Sequence, residues 1–327
     1  MLNYILRRIL GMIPTLILVS ILTFIVIQLP PGDFMTSLQA EIAATGGGQD
    51  ANTIEGLRVR YGLDKPMHVQ YLRWVAGFSR GDFGYSIEWN APVWDLIAGR
   101  LGFTILISGL ALALMWVLSI PIAIYSATHQ YSLGDNFFTF LGFLGLSVPD
   151  FLLALIYMVF VTLVLGFSAT GLYSAGMESS PWSLAKALDL VNHLWAPILI
   201  LALAGTAELI RIMRGSLLDV LSQQYITTAR AKGLKERVVL NKYAVRVAIN
   251  PMISVLGMQI PKMISSSIII GVVLSIPTVG PIFLRALTSQ DMYLAGALLL
   301  FMTLLLLIGN LLADITLAWI DPRIRYE

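Results

Sequence analysis

Stretches without a charged side chain dominate the chain: 9–32, 101–134, 151–177, 263–284 and 292–313 each exceed the ~18 residues that read as a bilayer span. Lipid offers backbone groups no hydrogen-bond partner, so such runs should be helices. The pattern predicts six spans, near 9–29, 101–127, 137–166, 194–213, 249–275 and 292–319.

The polar segments between them carry structure too. A helix is expected over 218–232, with Asp219 near its start, Arg230 and Lys232 in its last turn and Gly233 just past its end; this suits the helix dipole and a left-handed cap. A second helix is expected over 235–249, with Val239, Leu240, Tyr243, Ala244 and Val247 on one arc, ending at Asn250-Pro251. After the first span, Tyr61-Gly62-Leu63-Asp64-Lys65-Pro66 is turn chemistry, and Tyr71, Trp74, Phe78, Phe83, Tyr85, Trp89 and Trp94 follow it. A small folded piece, partly lying on the membrane, is expected there, with flexibility only around Thr45-Gly46-Gly47-Gly48-Gln49.

Composition removes several classes. Hydrophobic residues make up 57% and charged residues 12% of the 327 positions, which excludes a water-soluble globule. A net charge of +2 from 21 basic and 19 acidic residues gives no footprint for nucleic acid. Cysteine is absent and the three histidines, His68, His129 and His193, lie in unrelated segments, so neither a disulfide nor a metal site is expected. Arg7 and Arg8 precede an apolar run too long for a signal-peptide core and without a cleavage pattern, which reads as a retained span.

Charge location sets the orientation. The segment 211–246 holds eight basic residues against Asp219 and Glu236; it belongs in the cytoplasm, and both termini with it. The segment 30–100, with six basic and eight acidic residues, is long enough to be translocated regardless. By charge alone the basic segment also suits anionic lipid headgroups.

Few residues carry candidate chemistry. Gly77-Phe78-Ser79-Arg80-Gly81 spells the nucleophile-elbow pattern but lacks a strand before it and a helix after it. Asp150, after Pro149, falls in the third span and either lines a pathway or serves a break at the proline. Gln259, Lys262, Ser265 and Ser266, flanked by Pro251, Pro261 and Pro277, suit a kinked pathway-lining helix; serines also pack helices closely. Glu208 and Arg211, three apart, can pair on one helix face. No catalytic constellation is evident, and no phosphate-cradling G-x-x-x-x-G-K-[ST] is present.

The segment Tyr225-Ile226-Thr227-Thr228-Ala229-Arg230-Ala231-Lys232-Gly233-Leu234 resembles the cytoplasmic coupling loop of ABC-transporter permeases of the binding-protein-dependent importer class, in the dipeptide, oligopeptide and nickel subfamily. Tyr4-Ile5-Leu6-Arg7-Arg8, Ile13-Pro14-Thr15 and Pro31-Gly32-Asp33 are similar to the first-span signature of its first permease subunit. Gly81-Asp82-Phe83-Gly84-Tyr85-Ser86, Asn310-Leu311-Leu312-Ala313-Asp314 and Asp321-Pro322-Arg323-Ile324-Arg325-Tyr326 extend the likeness over nearly the whole chain. Thr227, Thr228 and Ala229 stand where the broader family has Glu-Ala-Ala, as in the peptide-type branch. Gly271, Leu274 and Pro277-Thr278 stand where that branch carries a glutamate, a phenylalanine and Pro-Gly.

The resemblance implies an all-α integral membrane protein with six transmembrane helices of the type I ABC importer permease kind and a small folded extracytoplasmic segment after the first helix. The parts would be a first helix (1–30), that segment (31–98) and a five-helix core (99–327) containing the coupling loop 214–248. It implies a multi-pass subunit of the bacterial cytoplasmic membrane that works with a second homologous permease, two ATP-binding subunits and a periplasmic or extracellular solute-binding protein. ATP and Mg would be held by the partners, and no cofactor by this chain. Tyr225, Thr228, Ala229, Arg230, Ala231, Lys232, Gly233 and Leu234 would contact the ATPase. Cargo in this branch is di- or oligopeptides, nickel, opines or oligosaccharides; peptides are expected. An ion-driven secondary transporter would instead show inverted repeats and more buried ionisable groups, and neither is apparent.

Overall fold

The computed structural model describes residues 2–29, 64–86, 88–166, 169–174 and 176–320. The expectations for Pro31-Gly32-Asp33, the 45–49 stretch, Tyr61-Gly62-Leu63 and the tail from Asp321 lie outside them. Among the described residues five helices are long and apolar enough to cross a membrane, or six with one bent pair counted as a span. The described residues fall into two compact units, one within Met1–Leu6, Thr104–Pro277 and Ile308–Glu327, the other within Arg7–Phe103 and Thr278–Leu307.

Long helices set the plan: α1 (Leu2–Gln28), then α2 (Met67–Ser79), the strands β1 (Tyr85–Ser86) and β2 (Ala91–Pro92), and α3 (Val93–Thr128). The third expected span is two helices, α4 (Leu133–Ser147) and α5 (Asp150–Leu163), bent by 99°. Val148 precedes a proline and is pushed to φ −98°, ψ 121°, while Pro149 sits at ψ 142°, so the helical ladder stops there. Asp150 then falls in the first turn of α5, where the positive end of the helix dipole favours a carboxylate. Of the two readings of Asp150, the proline break is the one visible in this geometry.

The fourth span, expected over 194–213, is the 38-residue α6 (Leu184–Leu221), roughly 57 Å long at 1.5 Å per residue. That exceeds a ~30 Å hydrocarbon core, so α6 projects beyond it. Ser183 starts the helix by accepting the Lys186 amide, and Pro197 sits inside without ending it.

The single helix expected over 218–232 is also two. α6 ends at Leu221, Gln223 is extended (ψ 147°), and a short α7 (Gln224–Ala231) follows. The second expected helix contains α8 (Glu236–Val238), a π-helical turn (Val239–Ala244) and α9 (Val245–Ala248). After Ile249 the chain continues as α10 (Asn250–Val273), with Pro251 in its first turn and Pro261 inside. The arc also differs from the expected one: Val239, Ala244 and Ala248 are buried, whereas Tyr243 and Val247 are exposed. A π turn adds one residue and shifts the inward face, so the buried spacing becomes five and then four instead of following a regular helix.

In the unit containing α2 and the strands, the aromatic recurrence becomes a packed cluster. Phe24, Tyr71, Trp74, Phe78, Phe83, Trp94 and Phe301 form a chain of ring contacts with centroids 4.9–6.4 Å apart. The antiparallel ribbon β1–β2 is tied to the start of α12 (Met292–Ile320) through Asp291. That carboxylate accepts from the Ser86 hydroxyl at 2.5 Å and from the Leu294 amide at 3.1 Å. Between them, α11 (Val279–Thr288) carries Arg285, which pairs with Glu88 at 2.7 Å.

Candidate coupling and pathway sites

The short helix α7 docks through two side chains. Ile226 and Ala229, three residues apart and therefore on one face, are buried among Leu217, Val220, Val239, Ala244, Ala248 and Ala127. Ile226 was not among the expected site residues, although it is the one aliphatic side chain larger than alanine in Gln224–Ala231, which was the available signal. Ala229 was expected at the ATPase surface, but its 5% exposure makes it an inward anchor. Tyr225, Thr228, Arg230, Ala231, Lys232, Gly233 and Leu234 are exposed.

The corner at its end is held by backbone and side chain together. Gly233 takes φ +75°, a region that costs residues with a Cβ. Its amide donates to the Arg230 carbonyl at 2.9 Å, and that of Leu234 to the Ala229 carbonyl at 3.4 Å. Across the bend, Arg230 grips Glu236 with Nε at 3.1 Å and Nη2 at 2.7 Å. The guanidinium's hydrogen bond holds the Glu236 carboxyl below its usual range, and the carboxylate raises Arg230 in return.

A second lock lies one element back. Asp135, only 2% exposed, receives Arg214 Nε at 2.9 Å and Nη2 at 2.8 Å, together with the Tyr131 amide at 2.9 Å. Sequence reasoning missed this pair. Ser132 three residues earlier accepts the Asp135 amide, so the Ser-x-x-acid pattern of a helix start was its readable trace, but nothing linear pointed to Arg214.

The polar residues of α10 are brought onto α6. Gln259 Nε2 donates to Glu208 Oε2 at 3.0 Å, and Lys262 Nζ to the same oxygen at 3.2 Å. Glu208, expected to pair with Arg211, thus takes its hydrogen-bonded partners from another helix. Ser265 is exposed and Ser266 half-buried, three and four residues past Lys262. Asp150 is not brought into this group by any of these bonds. Gly77 and Ser79 lie at the end of α2, where the Ser79 hydroxyl donates to the Ala76 carbonyl; no strand leads into that pattern, so it is no nucleophile elbow.

Membrane-length helices with a short helix docked against them through Ile226 and Ala229 define an all-α integral membrane protein. Residues 119–326 match the family described as "Binding-protein-dependent transport system inner membrane component". Residues 1–108 match the corresponding N-terminal family, "Binding-prot-dependent transport system membrane comp, N-term". The chain therefore belongs to the inner-membrane permeases of binding-protein-dependent transport systems. It is 37% identical over 324 residues to the oligopeptide transport system permease protein AppB of Bacillus subtilis (strain 168), with 99% of each chain covered. It is 33% identical over 327 residues to the glutathione transport system permease protein GsiC of Salmonella paratyphi A, with 100% of each covered. The protein is a multi-pass transport component of an ABC importer, not an enzyme, and works with ATPase and solute-binding partners.

Proposed function

We propose that this chain forms half of the pathway of a peptide importer, completed by a second homologous permease and driven by two ATPase subunits. Di- or oligopeptides are the cargo, delivered by a periplasmic or extracellular binding protein; the relatives named for oligopeptide and glutathione support that class. Both termini and the loop 214–248 lie in the cytoplasm, on the strength of its basic charge. In this reading 1–30 is the first helix, 31–98 the extracytoplasmic segment and 99–327 the core.

The observation that carries the proposal is α7, fixed to the body by Ile226 and Ala229 and stapled at its end by Arg230 and Glu236. A helix held at both places transmits a push, whereas a loose loop absorbs it. Tyr225, Thr228, Arg230, Ala231, Lys232, Gly233 and Leu234 present the surface on which an ATPase pulls. Closure of the ATPase pair then moves α7 together with α6 and α9, giving alternating access by rigid-body motion. Lys262, Gln259, Ser265 and Ser266 line the pathway, with Asp150 at the broken span.

The test is the purified complex with its binding protein in proteoliposomes. Peptide-loaded binding protein is expected to stimulate ATP hydrolysis and drive uptake, whereas nickel-, opine- or oligosaccharide-loaded preparations are not. Hydrolysis indifferent to every loaded binding protein, or uptake driven by an ion gradient without ATP, would overturn this function.

A further inference from the structure

Within the spans, Lys262 of α10 and Glu208 of α6 share a single 3.2 Å contact, with Arg211 one turn from Glu208 on the same helix. Lys262 lies midway along the 24 residues of α10, about 18 Å from either end at 1.5 Å per residue, and hence near the middle of a bilayer. Its side chain keeps 47% exposure and that of Glu208 27%. A charge at that depth facing lipid costs about 2.5–3.5 kcal/mol, so these open faces belong on the polar side of the helices. Lys262, Ser265 and Ser266, at i, i+3 and i+4, fall on one strip of α10.

The contrast with Asp135 and Arg214 is informative. There the guanidinium makes two bonds to a carboxylate that is almost fully buried, which is a lock. Here Lys262 makes one 3.2 Å contact, to an oxygen that Gln259 already holds. An ammonium on a four-carbon stem can leave such a contact and take another. Gln259 is 2% exposed, and its Oε1 has no hydrogen-bond partner among the described residues; its amide nitrogen keeps Glu208 in place while Lys262 moves.

Resting on the peptide reading above, we propose that Glu208 and Lys262 form an exchange pair for the charged termini of the cargo. A peptide with free ends carries an ammonium and a carboxylate, each costly to bring through an apolar pathway. Lys262 leaves Glu208 for the passing carboxylate, and Glu208 accepts the passing ammonium. Each exchange replaces one ion pair by another, so no bare charge appears in the membrane. Gln259 is a positioning residue for Glu208.

The experiment uses the full complex in proteoliposomes with its binding protein and a tripeptide with free ends. Lys262→Gln is expected to lower uptake of the free tripeptide per ATP hydrolysed about tenfold, the scale of one lost hydrogen bond to a charged group. Amidating the tripeptide's carboxyl should erase that defect, and acetylating its amine should do the same for Glu208→Gln. Should the single variants fail to assemble, the swap Glu208→Lys with Lys262→Glu retains a pair; it should carry the doubly blocked tripeptide as wild type and the free one poorly. Wild-type uptake of both peptides by the swap would mean the pair is purely structural and overturn the proposal. So would a defect that ignores the blocking groups in variants that keep the second permease in the complex. If the wild-type complex imports nickel or sugar and no peptide, the peptide reading fails and takes this inference with it; wild-type peptide import with unaffected variants defeats the exchange pair alone.

Discussion

At the scale of residues, two positions show how far local chemistry can be read in advance. Gly233 stands out in the linear sequence because it follows a basic helical run, and it does take a left-handed conformation. The structure adds that a Cβ there would meet nothing within 4 Å. Substitution therefore acts through φ and not through bulk. Gly233→Asn, which tolerates this region, should keep most of the coupling. Gly233→Val is expected to insert normally but to hydrolyse ATP with little uptake, through strain of about 1–2 kcal/mol. Uptake per ATP across the two variants checks it; equal loss in both would point to the surface instead of the turn.

Asp291 was unreadable, being one carboxylate among nineteen acidic residues until the ribbon folds over it. Burial pushes its carboxyl above the usual range, opposed by the Ser86 hydroxyl and the amides of Leu294 and Glu88. The folded state therefore binds this proton more tightly than the unfolded chain. Its contribution is fully present below the ordinary carboxylate pKa and is lost as pH rises through the higher folded value. Relative to Asp291→Asn, the wild type should lose thermal stability as pH climbs from acid towards neutral. Unfolding midpoints of the two purified proteins across that range measure the difference, and parallel curves would place the titration elsewhere.

At the scale of elements, the span count was readable because apolar length is a one-dimensional property, whereas the ends and breaks were not. Pro121, Pro197 and Pro261 sit inside helices that continue, and Pro149 marks one that stops. Pro121 and Pro197 lie in apolar runs and Pro149 and Pro261 each precede a charged residue, so immediate neighbours do not separate the helix that stops from those that continue. Close approaches were equally hidden. A Cβ on Gly309 of α12 would strike Ile260 Cγ2 and Cβ on α10, whereas one on Gly205 would meet first the Sδ of Met115, the mobile part of a flexible side chain. Gly309→Ala should thus cost about 1–3 kcal/mol through overpacking against a stiff β-branched residue, and Gly205→Ala less. Midpoints of thermal unfolding rank them; the reverse order would mean that α10 and α12 can separate more easily than this packing allows.

At the scale of the whole molecule, the lever works only as well as its attachment. Truncating Ile226 to Ala removes the side chain that seats α7 on α6 and the π turn, a change that in cores costs about 2–5 kcal/mol. Uptake per ATP should fall while binding of the ATPase, proposed above to use the exposed face of α7, persists. Co-purification beside transport assays separates the two effects, and loss of the ATPase from the complex would show that Ile226 shapes the docking surface itself. On the following helix Val239 and Ala244 face inward as expected, and the extra residue of a π turn brings Ala248 in beside them, in place of Tyr243 and Val247, to meet α7. No periodic reading of the sequence contains that insertion.

What the linear sequence determined was whatever depends on neighbours along the chain: apolar runs long enough to need a helix in lipid, a glycine where a helix turns, basic residues gathered in one loop, and the family those stretches resemble. Tertiary structure alone decided which charges meet. Asp135 and Arg214 are seventy-nine positions apart, and Glu208 and Lys262 fifty-four; these pairings depend on how whole helices pack, which no stretch of neighbours along the chain encodes. The same packing turned Ala229 inward and left Lys262 half open.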